Sequence, residues 1–159
     1  MTHPPEESGD ALATRIVASM SERDAFTRWL GASINDVRPG HCELRMRVRP
    51  EMMNGFGVAH GGIVFSLADS AMAYACNNTG HVTVAVDNSV SYPAAVHLDD
   101  ELTAIAEREG ASSRLAYYRV TVRRADGTVV ALFRGTVFRT MRLHDAGSSP
   151  EPSIPHTGS

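Results

Sequence analysis

Cysteine is scarce in this sequence. Cys42 and Cys76 are the only two in 159 residues, and neither belongs to a CxxC pair. That argues against a zinc framework and against a disulfide, and reads as two reduced thiols in a cytoplasmic protein. Long apolar runs are missing too: no stretch reaches the ~20 residues that a membrane span needs. The opening "MTHPPEESGD" is polar and acidic, unlike a signal peptide. Excess positive charge is absent. The net charge is -3, so no basic field points to nucleic acid. There is no G-x-S-x-G, which excludes an α/β-hydrolase elbow. "GFGVAH" begins like a dinucleotide fingerprint but puts His60 where the third glycine belongs. His41, His60, His81 and His97 lack metal-ligand spacing, so no metal is expected. Cys76 falls late in a helical pattern, the wrong end for a stabilised thiolate.

What remains is the pattern of one ordinary globular domain. Residues 1–10 and 143–159 read as disordered tails, the second rich in Ser, Pro and Gly, and residues 11–142 as the domain. Residues 11–30 carry a helical apolar period through Leu12, Ile16, Ala18, Met20, Phe26 and Leu30. The pattern predicts a break near Ser21, with Ser21 capping a second short turn. "CELRMRVRP" alternates, placing Cys42, Leu44, Met46 and Val48 on one face, and Pro50 ends that strand. A loop leads to a helix from about His60 to Asn78, closed by Gly80. Strands are predicted over 82–92, 100–109, 113–124 and 128–140, the last two joined at Asp126-Gly127. Helix, strand, long helix, then four consecutive strands argue for an α+β fold: an antiparallel sheet wrapped on one central helix.

The candidate chemistry sits in "NGFGVAHGGIVFSLADSAMAYACN", residues 54–77. His60-Gly61-Gly62 opens the long helix. The first amides of a helix have no internal acceptor and stand at the positive end of its dipole. Glycine there removes the side chain that would block a ligand, which makes an oxyanion site. Close packing of helix on sheet explains the same glycines equally well. Asp69 lies in the middle of that helix, where Asp is a poor former. Its neighbours at three and four residues are Phe65, Ser66, Met72 and Ala73, mostly apolar. An acid there faces a crevice in which its pKa rises, or is an edge residue bonded to Ser66 or Ser70.

Eight residues separate Gly61 from Asp69, ~12 Å at ~1.5 Å rise per residue. An oxyanion donor and a base must both lie within ~3 Å of the reacting groups. The lean of the Asp69 side chain toward the helix start recovers only part of that, so one chain cannot easily bring both to one carbonyl. Two copies of the helix, antiparallel about a two-fold axis, can.

The same stretch resembles the core of hotdog-fold acyl-CoA thioesterases, and most of all the type that acts on hydroxyphenylacetyl-CoA in bacterial phenylacetic acid degradation. The likeness runs from about Leu30 to Thr140 and includes "LADSAMAYACN" and "VALFRGT". It implies a hotdog fold and residue roles. Asp69 matches the carboxylate that acts as general base or nucleophile. Gly61 matches the amide that polarises the thioester carbonyl, and Asn54 a side chain that places the thioester or the water. The resemblance also implies that Asp comes from one subunit and Asn and Gly from its neighbour, in a homodimer or a tetramer of two dimers. His60, Gly62, Ser70 and Tyr92 are placed with the substrate contacts. Tyr92 stands before Pro93 where close members often carry Arg, and "DNSVSY" is more polar than usual. CoA phosphates call for cations, for which Arg108, Arg114 and Arg134 are the candidates, with hydroxyls from Ser112 and Ser113. The expected activity is hydrolysis of an aryl- or medium-chain acyl-CoA, with no cofactor beyond the CoA of the substrate. An enoyl-CoA hydratase and a non-catalytic acyl-CoA sensor or carrier are the alternatives.

Overall fold

The structure is a computed structural model, which describes residues 7–144. Its longest helix, α3 (Gly61–Asn77), is apolar nearly all round and is enclosed accordingly: ten of its 17 residues are buried. Leu67, Ala68, Ala71 and Ala75 are fully buried along it. On one side it lies in the curve of a six-stranded antiparallel sheet, ordered β1-β2-β4-β5-β6-β3. The strands are β1 (Ser33–Arg38), β2 (His41–Arg47), β3 (His81–Ser91), β4 (Glu101–Ala111), β5 (Leu115–Arg124) and β6 (Val129–Leu143). This α+β arrangement, a central helix wrapped by an antiparallel sheet, is the one that the hotdog resemblance implies.

Two short helices, α1 (Gly9–Arg23) and α2 (Ala25–Leu30), cover another side of α3. The break between them falls at Asp24, not near Ser21, because the Asp24 carboxylate accepts the Thr27 amide at 2.9 Å and itself caps α2. Gly31, at φ 74°, ends α2 in the left-handed conformation that glycine adopts freely. Ala13, Ile16 and Val17 form the buried stripe of α1. Ala18 and Phe26, expected on that face, are exposed; Phe26 stacks on Trp29 with ring centroids 6.0 Å apart.

Cys42, Leu44 and Met46 on β2, and Val48 just past its end, are buried as the alternation predicts. The Asp126-Gly127 hairpin forms, with Gly127 at φ 86° and Asp126 Oδ1 accepting the Thr128 amide at 2.9 Å. β1 has no counterpart among the predicted strands. Folding begins at Gly9 and β6 runs to Leu143, slightly beyond the expected 11–142. The rest of the expected tails, residues 1–6 and 145–159, lies outside the described residues.

Among the described residues β3 is an edge strand, hydrogen-bonded to β6 alone. Its register shifts between Ala85 and Asp87, leaving Val86 as a bulge. A bulge inverts the inward and outward alternation. Beyond it Asn88 pairs with Gly135 and Val90 with Phe133, both inward positions of β6, so Asn88 faces the helix.

Candidate active site

Residues 53–60 form a small hairpin closed by a Met53–Ala59 bridge, and this hairpin delivers the chain to α3. Asn54 Oδ1 accepts the amides of Phe56 at 2.8 Å and Val58 at 3.4 Å. The carbonyl end of Asn54 is therefore engaged in its own loop, and the amide end is left to donate elsewhere. Phe56, at the tip, is 93% exposed. His60 is the N-cap of α3: its Nδ1 accepts the Gly62 amide at 2.9 Å. That satisfies one of the helix's orphan donors and leaves the Gly61 amide without a cap contact.

Tyr92 closes over the same helix end. Its hydroxyl donates to the Gly61 carbonyl at 2.9 Å. A Cβ at residue 61 would lie 3.3 Å from the Tyr92 ring. Beside this contact is a cavity of about 330 Å³ lined by Val58, Ala59, Gly61, Val64, Tyr92 and Val96 among others. Its lining side chains are apolar apart from the Tyr92 hydroxyl, and it opens beside the start of α3.

Asp69 lies further along the helix, half-buried. Asn88 donates to its Oδ1 at 3.0 Å. Burial pushes the Asp69 carboxyl above its ordinary pKa, and the Asn88 hydrogen bond pulls the other way. Asn88 was not among the sequence candidates. The signal was the polar run "DNSVSY", but which of its residues faces the helix depends on the bulge. Ser66, a possible partner of Asp69, instead donates to the Gly62 carbonyl at 2.6 Å.

The other candidates fall elsewhere. Ser70 is buried on the α2 side of α3, with its hydroxyl 2.8 Å from Thr27 Oγ1. It is not brought to Asp69. Arg108 pairs in register with Tyr118, whose hydroxyl bonds Ala75 O near the C-terminal end of α3. Ser112, Ser113 and Arg114 lie at the β4–β5 turn; Ser112 Oγ accepts the Leu115 amide at 3.1 Å, and all three are exposed. Arg134 is on the outer face of β6, 3.7 Å from Glu109. Within one protomer these arginines are remote from the Gly61 end of the helix or face away from it. Among the described residues no group of three or more His, Cys, Asp or Glu is placed to hold a metal ion. No helix there is long and apolar enough to cross a membrane.

β3 measures the site. Asn88 touches Asp69 and Tyr92 touches Gly61. Four residues of extended chain span ~13 Å, which agrees with the ~12 Å counted along the helix. Asp69 and Gly61 therefore stand ~12 Å apart along the helix of one chain, further than two groups acting on one carbonyl.

The chain matches the model of the thioesterase superfamily over residues 56–131. It is similar to the acyl-coenzyme A thioesterase PaaI of Escherichia coli, 36% identical over 121 residues, which are 76% of this chain and 86% of that one. The solved structure of the E. coli PaaI protein, from the phenylacetic acid degradation operon, superposes with a TM-score of 0.82. There the identity is 34%, over 84% of this chain and 96% of that one. A hypothetical thioesterase from Streptococcus pneumoniae, solved with coenzyme A, superposes with a TM-score of 0.72 at 27% identity, covering 77% of this chain and 95% of that one.

Proposed function

The chain belongs to the thioesterase superfamily as a hotdog acyl-CoA thioesterase, and we propose that its substrate is an aryl- or medium-chain acyl-CoA, split at a site shared by two copies of the chain. Asp69 of one copy acts as general base on water or as nucleophile. The Gly61 amide of the other polarises the thioester carbonyl, and Asn54 beside it offers its free amide to the thioester or the water. A thioester carbonyl is electrophilic enough for a single carboxylate to suffice, with no cofactor beyond the substrate's CoA. General-base assistance contributes ~10²–10⁴-fold.

The observation that carries this reading is the separation of Asp69 from Gly61 within one protomer. One feature supports its resolution by a second copy. β3 offers an open edge of 11 residues, with Val84 and Val86 exposed at 48% and 58%, and an unpaired strand edge is a template for another strand. The apolar cavity beside Gly61 suits an aryl or medium-length acyl group. The exposed Arg108 and Arg114 remain the proposed holders of the CoA phosphates, supplied across the same interface.

Mixing tests the reading. Asp69→Asn and Asn54→Ala homodimers are each expected to be nearly inactive on a panel of phenylacetyl-, hydroxyphenylacetyl-, benzoyl- and aliphatic CoA esters. Co-refolded, they form statistical heterodimers that contain one complete site, and about a quarter of wild-type activity returns. No return of activity would place the site within one protomer. Enoyl-CoA hydration in the same panel, or tight binding without turnover, would favour a hydratase or a sensor instead.

A further inference from the structure

Asn88 is an expensive residue for its position. It faces inward from β3 onto α3, opposite the buried face of β6. Its amide nitrogen donates to Asp69 Oδ1, and its own Oδ1 is buried with no hydrogen-bond partner among the described residues. A buried carbonyl without a donor is unfavourable. Room for it is made on purpose: its cross-strand partner is Gly135, where a Cβ would collide with Met72 Sδ and lie 2.8 Å from Asn88 Oδ1. The opposite orientation of the amide would set its carbonyl against the carboxylate.

We propose that Asn88 is a positioning residue for Asp69, clamping one carboxylate oxygen and leaving Oδ2 as the oxygen that reacts. This rests on the reading of Asp69 as the reacting group. The clamp has two consequences. It restrains the carboxyl rotamer, because the hydrogen bond from β3 holds Oδ1 and turns Oδ2 away from Asn88. It also favours the charged form in a place where burial disfavours it. A carboxylate is needed for attack or for proton abstraction from water; a carboxylic acid does neither.

The other titratable groups on elements packed against α3 do not take this role. Tyr118 on β5 is bonded to Ala75 O, and Tyr74 on α3 itself donates to Asp24 between α1 and α2. Arg108 on β4 is Tyr118's register partner near the C-terminal end of the helix. Cys42 on β2 and Cys76 on α3 are buried thiols, pushed up to about 12 mainly by burial. Asp87 on β3 is exposed, and Arg134 on β6 is exposed beside Glu109. Burial and Asn88 are the two influences on Asp69.

The test replaces Asn88 by Leu, and in parallel by Ser, which is small enough for the site and too short to reach Asp69. Both readouts are pH titrations of the full-length protein: the Asp69 side-chain 13C-carboxyl shift by NMR, identified by its loss in Asp69→Asn, and kcat/KM over the CoA-ester panel. Without the clamp, the Asp69 midpoint and the acid limb of kcat/KM both move up together. Activity falls roughly tenfold on the acid side and largely returns at higher pH. A merely structural role would lower the rate equally at every pH. If Asp69 titrates as in wild type in both variants while Asp69→Asn is inactive, the Asn88 inference is overturned and the proposed function stands. If Asp69→Asn is as active as wild type, the proposed function fails, and this inference with it.

Discussion

The Tyr92 hydroxyl donates to the Gly61 carbonyl, and the ring stands where a side chain on residue 61 would need to be. The two residues are matched in shape. This bears on the open question of the glycine, which serves either as an oxyanion site or as a packing solution. Gly61→Ala is expected to lower both Tm and kcat, since its Cβ meets the ring at 3.3 Å. Adding Tyr92→Ala removes the clash. The double variant should recover Tm and keep the low kcat. Recovery of kcat as well would mean that the glycine serves packing alone.

Tyr92 also walls the cavity beside the helix start. Tyr92→Phe removes one hydrogen bond at a half-exposed position, so its cost should fall at the low end of ~0.5–1.5 kcal/mol. Tyr92→Ala opens the wall. The ratio of kcat/KM for long against short acyl groups should then rise by about tenfold, one or two methylenes' worth of apolar contact. An unchanged ratio would remove Tyr92 from the acyl pocket.

Asp69→Asn should lower kcat by ~10²–10⁴-fold with the fold intact. Its effect on stability has a definite sign. Burial raises the native pKa of Asp69 above its unfolded value. Such a carboxyl contributes stability below the ordinary carboxylate range and loses it as pH rises through the native pKa. At neutral pH the ionised group is a burden, so Asp69→Asn raises Tm there. The gain shrinks to nothing as the pH drops below about 4. A melting series from pH 3 to 8 checks both halves.

Ser70→Ala separates a structural residue from a substrate contact. Ser70 and Thr27 are 8% and 4% exposed, and each is the other's hydrogen-bond partner. Removing the Ser70 hydroxyl costs that one hydrogen bond, ~0.5–1.5 kcal/mol and a few degrees of Tm, while the Thr27 side chain keeps its hydrogen bond to the Asp24 carboxylate. KM should not move. A raised KM at unchanged Tm would return Ser70 to the binding site.

Lysines at Val84 and Val86 together put like charges on the open edge of β3, which blocks strand pairing between copies. Light scattering should report monomers, circular dichroism an unchanged fold, and activity a drop to background. Full activity in a monomer would refute the shared site.

The sequence made the central helix and the alternating β2 easy to read, because in each the apolar period matches a face that is buried on folding. β1 was illegible for the opposite reason. Ser33–Arg38 holds only Ile34 and Val37 as apolar residues, and its register shifts between Ile34 and Asp36. It is a strand because β2 offers it a partner, which local periodicity cannot express. Asn88 was hidden by the Val86 bulge: extending the parity from Thr83, which is buried, would have aimed Asp87 at the helix. The direction of Ser70 was not legible because neighbouring helix residues point ~100° apart. Asp69 turns towards β3 and Ser70 towards α2, a choice set by tertiary packing.

Cys42 and Cys76 are 0% and 5% exposed, so neither native thiol offers a reactive handle. A single cysteine introduced in place of Phe56 would take a maleimide dye without background labelling. Its emission would report, turnover by turnover, whether the hairpin tip beside Asn54 sits in water or against a second chain.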